Sequence, residues 1–329
     1  MLTTLPEDVP LETVHKLAAV LAPLGAVDRV ERLTGGMFAT TFRVTLEGTT
    51  RVVVKTAPTQ SSRLLTYELD LIRTEAAVYA LAADRPDLLM PTVLLTDFTR
   101  SVLPSDVLVV SHLDGVPLID AGELALSAAD CVQRELGAFM ARLHNVNGPR
   151  FGYPNLAAGL HARTWPDAFT LMVEALLADG HRWGTGLPSR EIRAALRRHG
   201  TALAEVRTPA LVHTDLWPAN LFVDPLSGAL TGVIDTERSV WGDPLLDLAG
   251  IDQLGRRPAP VPLLDGYASA GGAFAIGTAS GDARMLLYRV YMSLVLLVEI
   301  APRGYTGEWV QGHRASAAAN LRAGLDALR

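Results

Sequence analysis

The segment Leu211–Ala249 reads LVHTDLWPANLFVDPLSGALTGVIDTERSVWGDPLLDLA, and three acceptor side chains stand in it in a fixed order. Asp215 comes first, Asn220 follows five residues later, and Asp235 comes directly after the apolar run Leu230–Ile234. That run and its predecessor, Asn220–Val223, are separated by Asp224-Pro225-Leu226-Ser227-Gly228, which is hairpin-turn chemistry. A hairpin over 220–235 brings its two ends to one rim, with Asp215 facing them from the loop just before. Two oxygen ligands beside a third carboxylate suit Mg2+, a hard ion that takes one or two carboxylates together with phosphate oxygens. The remaining carboxylate is then free to accept a hydrogen bond from a hydroxyl.

Outward from this segment the hydrophobic period changes twice. Leu11–Leu21 sets Leu11, Val14, Leu17, Ala18 and Leu21 on one helical face. Phe42, Val44 and Leu46 alternate with polar residues, as in a half-buried strand, and Arg51–Thr56 reads as a short β-branched strand after the turn at Glu47–Thr50. Thr66–Ala83 returns to helical spacing, and Thr92–Thr96 and Val107–Ser111 read as two more strands. Beyond Gly115 and Pro117 the pattern is mainly helical, with helices predicted over Ala129–His144, Asp167–Ala178 and Arg190–Val206. The expected organisation is α+β and bilobal. A strand-rich lobe (1–113) joins a helical lobe (114–329) through a hinge near 111–117.

The pattern H-x-D-x-x-x-x-N, then I-D, then G-D-P-x-x-D-L-A resembles the aminoglycoside phosphotransferase and choline kinase superfamily, relatives of the protein kinases. The resemblance spans most of residues 30–250 and implies the protein-kinase-like fold. It makes Asp215 the catalytic aspartate of loop 211–220, and Asn220 and Asp235 the Mg2+ ligands. His213 supports the loop and Asp247 anchors it. Lys55, in Val52-Val53-Val54-Lys55, is the lysine that meets the nucleotide phosphates, and Glu75, in preference to Glu68, is its partner. Gly35 and Gly36 form the loop over the phosphates. Ser111 and Leu113 offer the backbone groups that pair with the purine of ATP or GTP. The implied reaction is transfer of a γ-phosphoryl group to a hydroxyl of an antibiotic, sugar, nucleoside or amino alcohol, in antibiotic resistance or in biosynthesis.

Composition narrows the partners. Charged residues make up 19% of the 329-residue chain, the net charge is −6, and no Lys/Arg run appears, so nucleic acid is not an expected partner. One cysteine, Cys131, excludes an intrachain disulfide and a Cys-based zinc cluster, and its apolar helical setting reads as a buried thiol. Met1–Pro10 shows no signal-peptide pattern, and Arg289 and Glu299 interrupt the apolar stretch Met285–Ile300, which reads as a core helix rather than a membrane span. A cytoplasmic location follows as an expectation. Of the 29 basic residues two are lysine, Lys16 and Lys55, so a lysine at a strand end carries more weight here than usual.

Acceptor recognition is expected from the helical region 151–206 and from the segment after Asp252. Asp167 and Glu174 are the candidate acidic contacts, and Glu237 is placed to touch metal or substrate or else to pair with a neighbouring arginine such as Arg238. Their scatter among arginines argues against a strongly polycationic acceptor. A protein kinase needs an activation segment ending in A-P-E, yet Gly242-Asp243-Pro244 follows Asp235 within nine residues. A nucleotide-binding pseudokinase usually lacks one of Lys55, Asp215, Asn220 or Asp235, and all four are present.

Overall fold

The computed structural model describes residues 9–33 and 38–329. The first lobe is an antiparallel sheet of β1 (Val27–Leu33), β2 (Thr40–Leu46), β3 (Arg51–Thr56), β4 (Val93–Asp97) and β5 (Val107–Ser111) in the order β1-β2-β3-β5-β4. Side chains on a strand alternate between faces. Val52 and Val54 of β3 pack with Phe42, Val44 and Leu46 of β2 and with Leu17 and Leu21 of α1 (Leu11–Leu21). Val53 lies on the opposite face, where Ile72, Ala76 and Tyr79 of α2 (Leu71–Leu81) join Leu108 and Val110 of β5. Lys55 has the parity of Val53, so the strand's own pleat aims it at α2 and Glu75.

The rest is helical, with two small sheets. The chain leaves β5 through β6 (Val116–Pro117), which pairs with β10 (Leu221–Val223) of the hairpin closed by β11 (Leu230–Val233). Between them lie α3 (Leu126–His144), β7 (Phe151–Gly152), β8 (His161–Ala162), α4 (Trp165–Arg182), α5 (Ser189–Arg198), α6 (Gly200–Leu203) and β9 (Ala210–Val212). After the hairpin come β12 (Val240–Gly242), α7 (Leu245–Gly250), α8 (Val261–Ser269), α9 (Ala279–Val298) and α10 (Trp309–Ala327). The stretch that raised the membrane question lies in α9, a core helix packed on α10 and α4, and no helix among the described residues is long and apolar enough to cross a membrane. The rings of Trp165, Phe169 and Tyr288 meet beside it at tilted and edge-on angles. Cys131, expected to be buried, is half-buried.

Two predicted helices are shorter than their periodicity suggested. The one expected over 66–83 begins at Leu71, because Asp70 takes a left-handed conformation (φ 53°) and residues 64–69 dock on the helical lobe instead. Asp179 accepts from the Thr66 amide (2.7 Å), Arg182 donates to the Leu64 carbonyl (2.6 Å), and Asn155 donates to that of Leu69 (2.5 Å). The helix expected over 190–206 breaks at His199, whose ring bonds the Leu328 carbonyl.

α2 is apolar on two sides for a reason. Leu71 and Val78, with Ala82 just beyond its last turn, belong to the core of the helical lobe, together with Leu65 and Tyr67. A third tie runs from α2 to the strand face: Arg73 forks onto Asp106 (2.7 and 3.1 Å), which also takes Arg100 (2.8 and 3.2 Å). Burial pushes the Asp106 carboxyl up, but the two guanidiniums outweigh it and hold it down to about 2. A carboxylate lowered below its ordinary 3.8 contributes stability above that value and loses it as pH falls through about 2. Asp106→Asn is therefore expected to cost about 1–2 kcal/mol at pH 7, the lower part of the range reflecting the half-exposed arginines. Urea midpoints of the two proteins should converge as the pH is lowered from 4 toward 2.

Candidate active site

Residues 213–220 connect the buried strand β9 to the hairpin, and their backbone is fixed from three directions. Asp247, in the first turn of α7 and fully buried, accepts from the amides of His213 (3.2 Å) and Thr214 (2.6 Å) and also binds His144 Nε2 (2.9 Å). The His213 ring accepts the Asp215 amide at Nδ1 (3.2 Å), so its hydrogen is on Nε2, which donates to the Ile234 carbonyl (3.0 Å). Asn220 Nδ2 donates to the Asp215 carbonyl (2.9 Å). His213 thus joins the loop to the far end of the hairpin, and Asn220 closes the loop on itself.

Thr214 sits in left-handed space (φ 67°), uncommon for a β-branched residue and worth roughly 1–3 kcal/mol of strain. Besides Asp247, its hydroxyl bond to the Arg238 carbonyl (3.0 Å) holds it there. Gly250, at the end of α7, backs directly onto this turn: a Cβ at that position falls 2.5 Å from the Thr214 carbonyl oxygen. Gly250→Ala must push the loop backbone itself, so we expect a loss of about 1–3 kcal/mol of stability together with most of the activity, read from melting curves and initial rates of the same preparation.

On the other side of the site, Lys55 Nζ lies 2.7 Å from Glu75 Oε2 and 2.6 Å from Asp235 Oδ1, one partner from each lobe. Burial opposes the ammonium, but Asp235 and Glu75 outweigh it and keep Lys55 charged. Glu68, the alternative partner, is instead paired with Arg303 (2.5 Å). Tyr79, four residues after Glu75 on the same face of α2, donates to Glu75 Oε1 (2.6 Å) and accepts the Asp235 amide (3.0 Å). The i, i+4 spacing of Glu75 and Tyr79 was a sequence signal for that bridge. Asp235 itself has φ 68°, which turns its side chain back toward the lysine.

Asp215 is half-buried, and desolvation raises its carboxyl above the usual range, with Arg238 opposing the effect and nearby Asp235 adding to it. Its Oδ1 accepts from Gln253 Nε2 at 2.6 Å. No sequence signal marked Gln253, since a glutamine in a loop reads as a solvated residue. Arg238 does not pair with its neighbour Glu237; it reaches Glu299 (2.7 Å), which also binds Arg303 and the Tyr67 hydroxyl. The signal for that buried network was Glu299, a lone acid at the end of an apolar run. Glu237 is buried, and its Oε2 has no hydrogen-bond partner among the described residues.

The remaining expected residues divide as follows. Ser111 ends β5 opposite Val52 and shares two bonds with Thr92: its amide donates to the Thr92 carbonyl, and its hydroxyl oxygen accepts the Thr92 amide (both 2.9 Å). Leu113 packs over Gly232 of β11. Gly35 and Gly36 lie outside the described residues. Asp167 and Glu174 have local partners. Asp167 is exposed in the first turn of α4 and caps it with Thr164, and Glu174 is forked onto Arg193 (2.7 Å twice).

A divalent cation fits the residues present. Asn220 spends one amide hydrogen on the Asp215 carbonyl, and its Oδ1 is an oxygen of the kind such an ion takes. Ligand oxygens of Glu75, Asp235 and Glu237 lie within 4.8 Å of one another, and the orphaned Glu237 Oε2 is among buried acids that a cation would compensate.

Comparison with solved structures gives the same fold at low identity. A protein assigned as a fructosamine-3-kinase from Thermobifida fusca is similar at 20% identity, covering 94% of this chain and 98% of that one, with a TM-score of 0.68. A macrolide 2'-phosphotransferase from Brachybacterium faecium is similar at 21% identity, 94% and 98% coverage and a TM-score of 0.56. Aminoglycoside phosphotransferase APH(4)-Ia, in a ternary complex with ADP and hygromycin B, is similar at 20% identity, 94% and 97% coverage and a TM-score of 0.61. The model of one family, described as the phosphotransferase enzyme family, matches residues 29–286, a span of 258 of the 329 residues that takes in β1 through the middle of α9. A match of that length, running through the lysine strand, the 213–220 loop and the hairpin together, shows that the chain belongs to the phosphotransferase enzyme family.

Proposed function

We propose that the protein transfers the γ-phosphoryl group of a Mg2+-bound nucleoside triphosphate to a hydroxyl of a small molecule. The observation that carries this reading is the bonded neighbourhood of four residues: Lys55 pairs with Asp235, Asn220 bonds the Asp215 carbonyl, and the Ile234 amide next to Asp235 bonds the Asn220 carbonyl. The nucleotide complexes of a structural relative agree with a triphosphate donor.

Phosphoryl transfer passes through a loose transition state, so positioning and charge neutralisation do most of the work. Lys55, held by Glu75, meets the donor phosphates as a compact point charge, a role a planar guanidinium does not reproduce. Asn220 and Asp235 would hold Mg2+, whose contribution when bound is to neutralise charge on the β- and γ-phosphate oxygens. The acceptor hydroxyl donates to Asp215, its oxygen attacks the γ-phosphorus, and the bond to the β,γ-bridging oxygen breaks. The hydroxyl proton passes to Asp215 and on to solvent, leaving a nucleoside diphosphate and a phosphate monoester. A raised carboxyl pKa suits a group that must take this proton late.

The acceptor is a neutral or mildly polar alcohol rather than a polycation, since Asp167 and Glu174 are already engaged. Structural relatives are named for fructosamine, macrolide and aminoglycoside substrates, a range that runs from mildly polar to polycationic compounds. The hinge at 111–117 separates donor-binding and acceptor-binding parts. Incubation with ATP or GTP, Mg2+ and a panel of sugars, amino alcohols, nucleosides and antibiotics, followed by mass spectrometry, should find one added phosphoryl group. No modified compound, together with no Mg2+-dependent nucleotide binding by calorimetry, overturns the reading.

A further inference from the structure

We propose that Gln253 is the positioning residue of the reaction, fixing the Asp215 carboxylate so that one oxygen is held and the other is presented to the acceptor hydroxyl. The inference rests on the phosphoryl-transfer reading above. The main chain of Asp215 is already fixed, its amide on His213 and its carbonyl on Asn220. Its side chain is another matter. Among the described residues the carboxylate has one hydrogen bond, the 2.6 Å bond from Gln253 Nε2 to Oδ1. Without it, rotation about the side-chain bonds is restrained by packing alone.

The loop that delivers Gln253 is tied down at several points. It leaves the end of α7, the helix whose Asp247 and Gly250 fix the 213–214 backbone, so loop and glutamine share one support. Arg289 of α9 donates to the carbonyls of Gly255 (2.6 Å) and Arg257 (3.0 Å). Asn320 of α10 donates to that of Leu254 (2.8 Å), and Asp252 accepts the Arg257 amide (3.0 Å). Two core helices therefore hold the backbone around one side-chain amide.

The chemistry of the amide suits the task. A lysine or arginine at this place would stabilise the charged carboxylate and weaken its pull on the acceptor proton. A carboxyl would repel it. A neutral donor orients the carboxylate and lowers its basicity less than a full positive charge would.

With an acceptor from the panel, steady-state kinetics of Gln253→Met and Gln253→Glu test the proposal. Gln253→Met keeps the length and removes the donor; kcat should fall about tenfold, roughly the worth of one neutral hydrogen bond, with the nucleotide KM unchanged within about twofold. Gln253→Glu keeps the shape and sets two carboxylates against each other, so kcat should fall about a hundredfold at pH 7.5 and the melting temperature should fall, while the nucleotide KM stays within about twofold. A purely structural role would instead lower kcat and nucleotide affinity together, along with the melting temperature. Unchanged kcat in both variants, or that joint loss, overturns the proposal. A wild-type chain that phosphorylates nothing and binds no nucleotide overturns the reaction itself, and the inference with it.

Discussion

Asp215→Ala should abolish measurable transfer, by about a thousandfold or more in kcat, and leave Mg2+-nucleotide binding nearly intact. The size follows from the role: a positioned base contributes on the order of 10²–10⁴, and no second carboxylate shares its hydrogen-bond partner Gln253. Binding survives because the donor side is held by Lys55, Glu75 and Asp235, none of which bonds the Asp215 side chain. Removing a half-buried carboxylate that nearby Asp235 repels also relieves a cost, so the variant should melt no lower than wild type. Rates by coupled assay, calorimetric titration with a non-hydrolysable nucleotide and melting curves give the three readouts. Retention of more than a tenth of the wild-type rate would remove Asp215 from the chemistry.

Lys55→Met should cost both activity and stability, and a second substitution separates the two. The lysine is buried between a fully enclosed Glu75 and the partly exposed Asp235. Removing one partner of such a pair leaves an uncompensated charge, which typically costs about 3–5 kcal/mol. The Tyr79 hydroxyl still donates to Glu75, which places the expected loss at the lower end, about 3 kcal/mol. Adding Glu75→Gln to Lys55→Met removes the orphaned charge and should restore most of the melting temperature. It should restore none of the activity, because the phosphates still lack their cation. Urea denaturation and initial rates on the single and double variants check both halves. A double variant that recovers activity would mean Lys55 acts through Glu75 alone and not on the donor.

The sequence was most informative where residues carry chemistry within a short span. Asp215, Asn220 and Asp235 lie close enough along the chain that a hairpin turn brings them together, and Lys55 and Glu75 were legible through the resemblance of their segments to the family. α1 and β3 match their hydrophobic pattern to the residue. What stayed hidden depends on contacts between distant elements. Residues 64–69 have helical periodicity, yet Asp179, Arg182 and Asn155, more than eighty positions later, offer their backbone better partners than a helix would. Gln253 has no local pattern at all, and its meaning comes from a bond to a residue 38 positions away. Nothing in the sequence around Asp167 and Glu174 shows that Thr164 and Arg193 partner them.

The double allegiance of α2 bears on how such an enzyme can be controlled. In kinases that switch, the helix bearing the lysine's partner swings away and breaks the ion pair. Here that motion would pull Leu71 and Val78 out of the helical core, and each fully buried side chain of this size is worth roughly 1.5–3 kcal/mol. It would also break the Arg73 fork on Asp106 and the Tyr79 bridge to Asp235. The off state familiar from signalling enzymes is thus energetically out of reach. Output would follow the supply of donor and acceptor and the abundance of the protein.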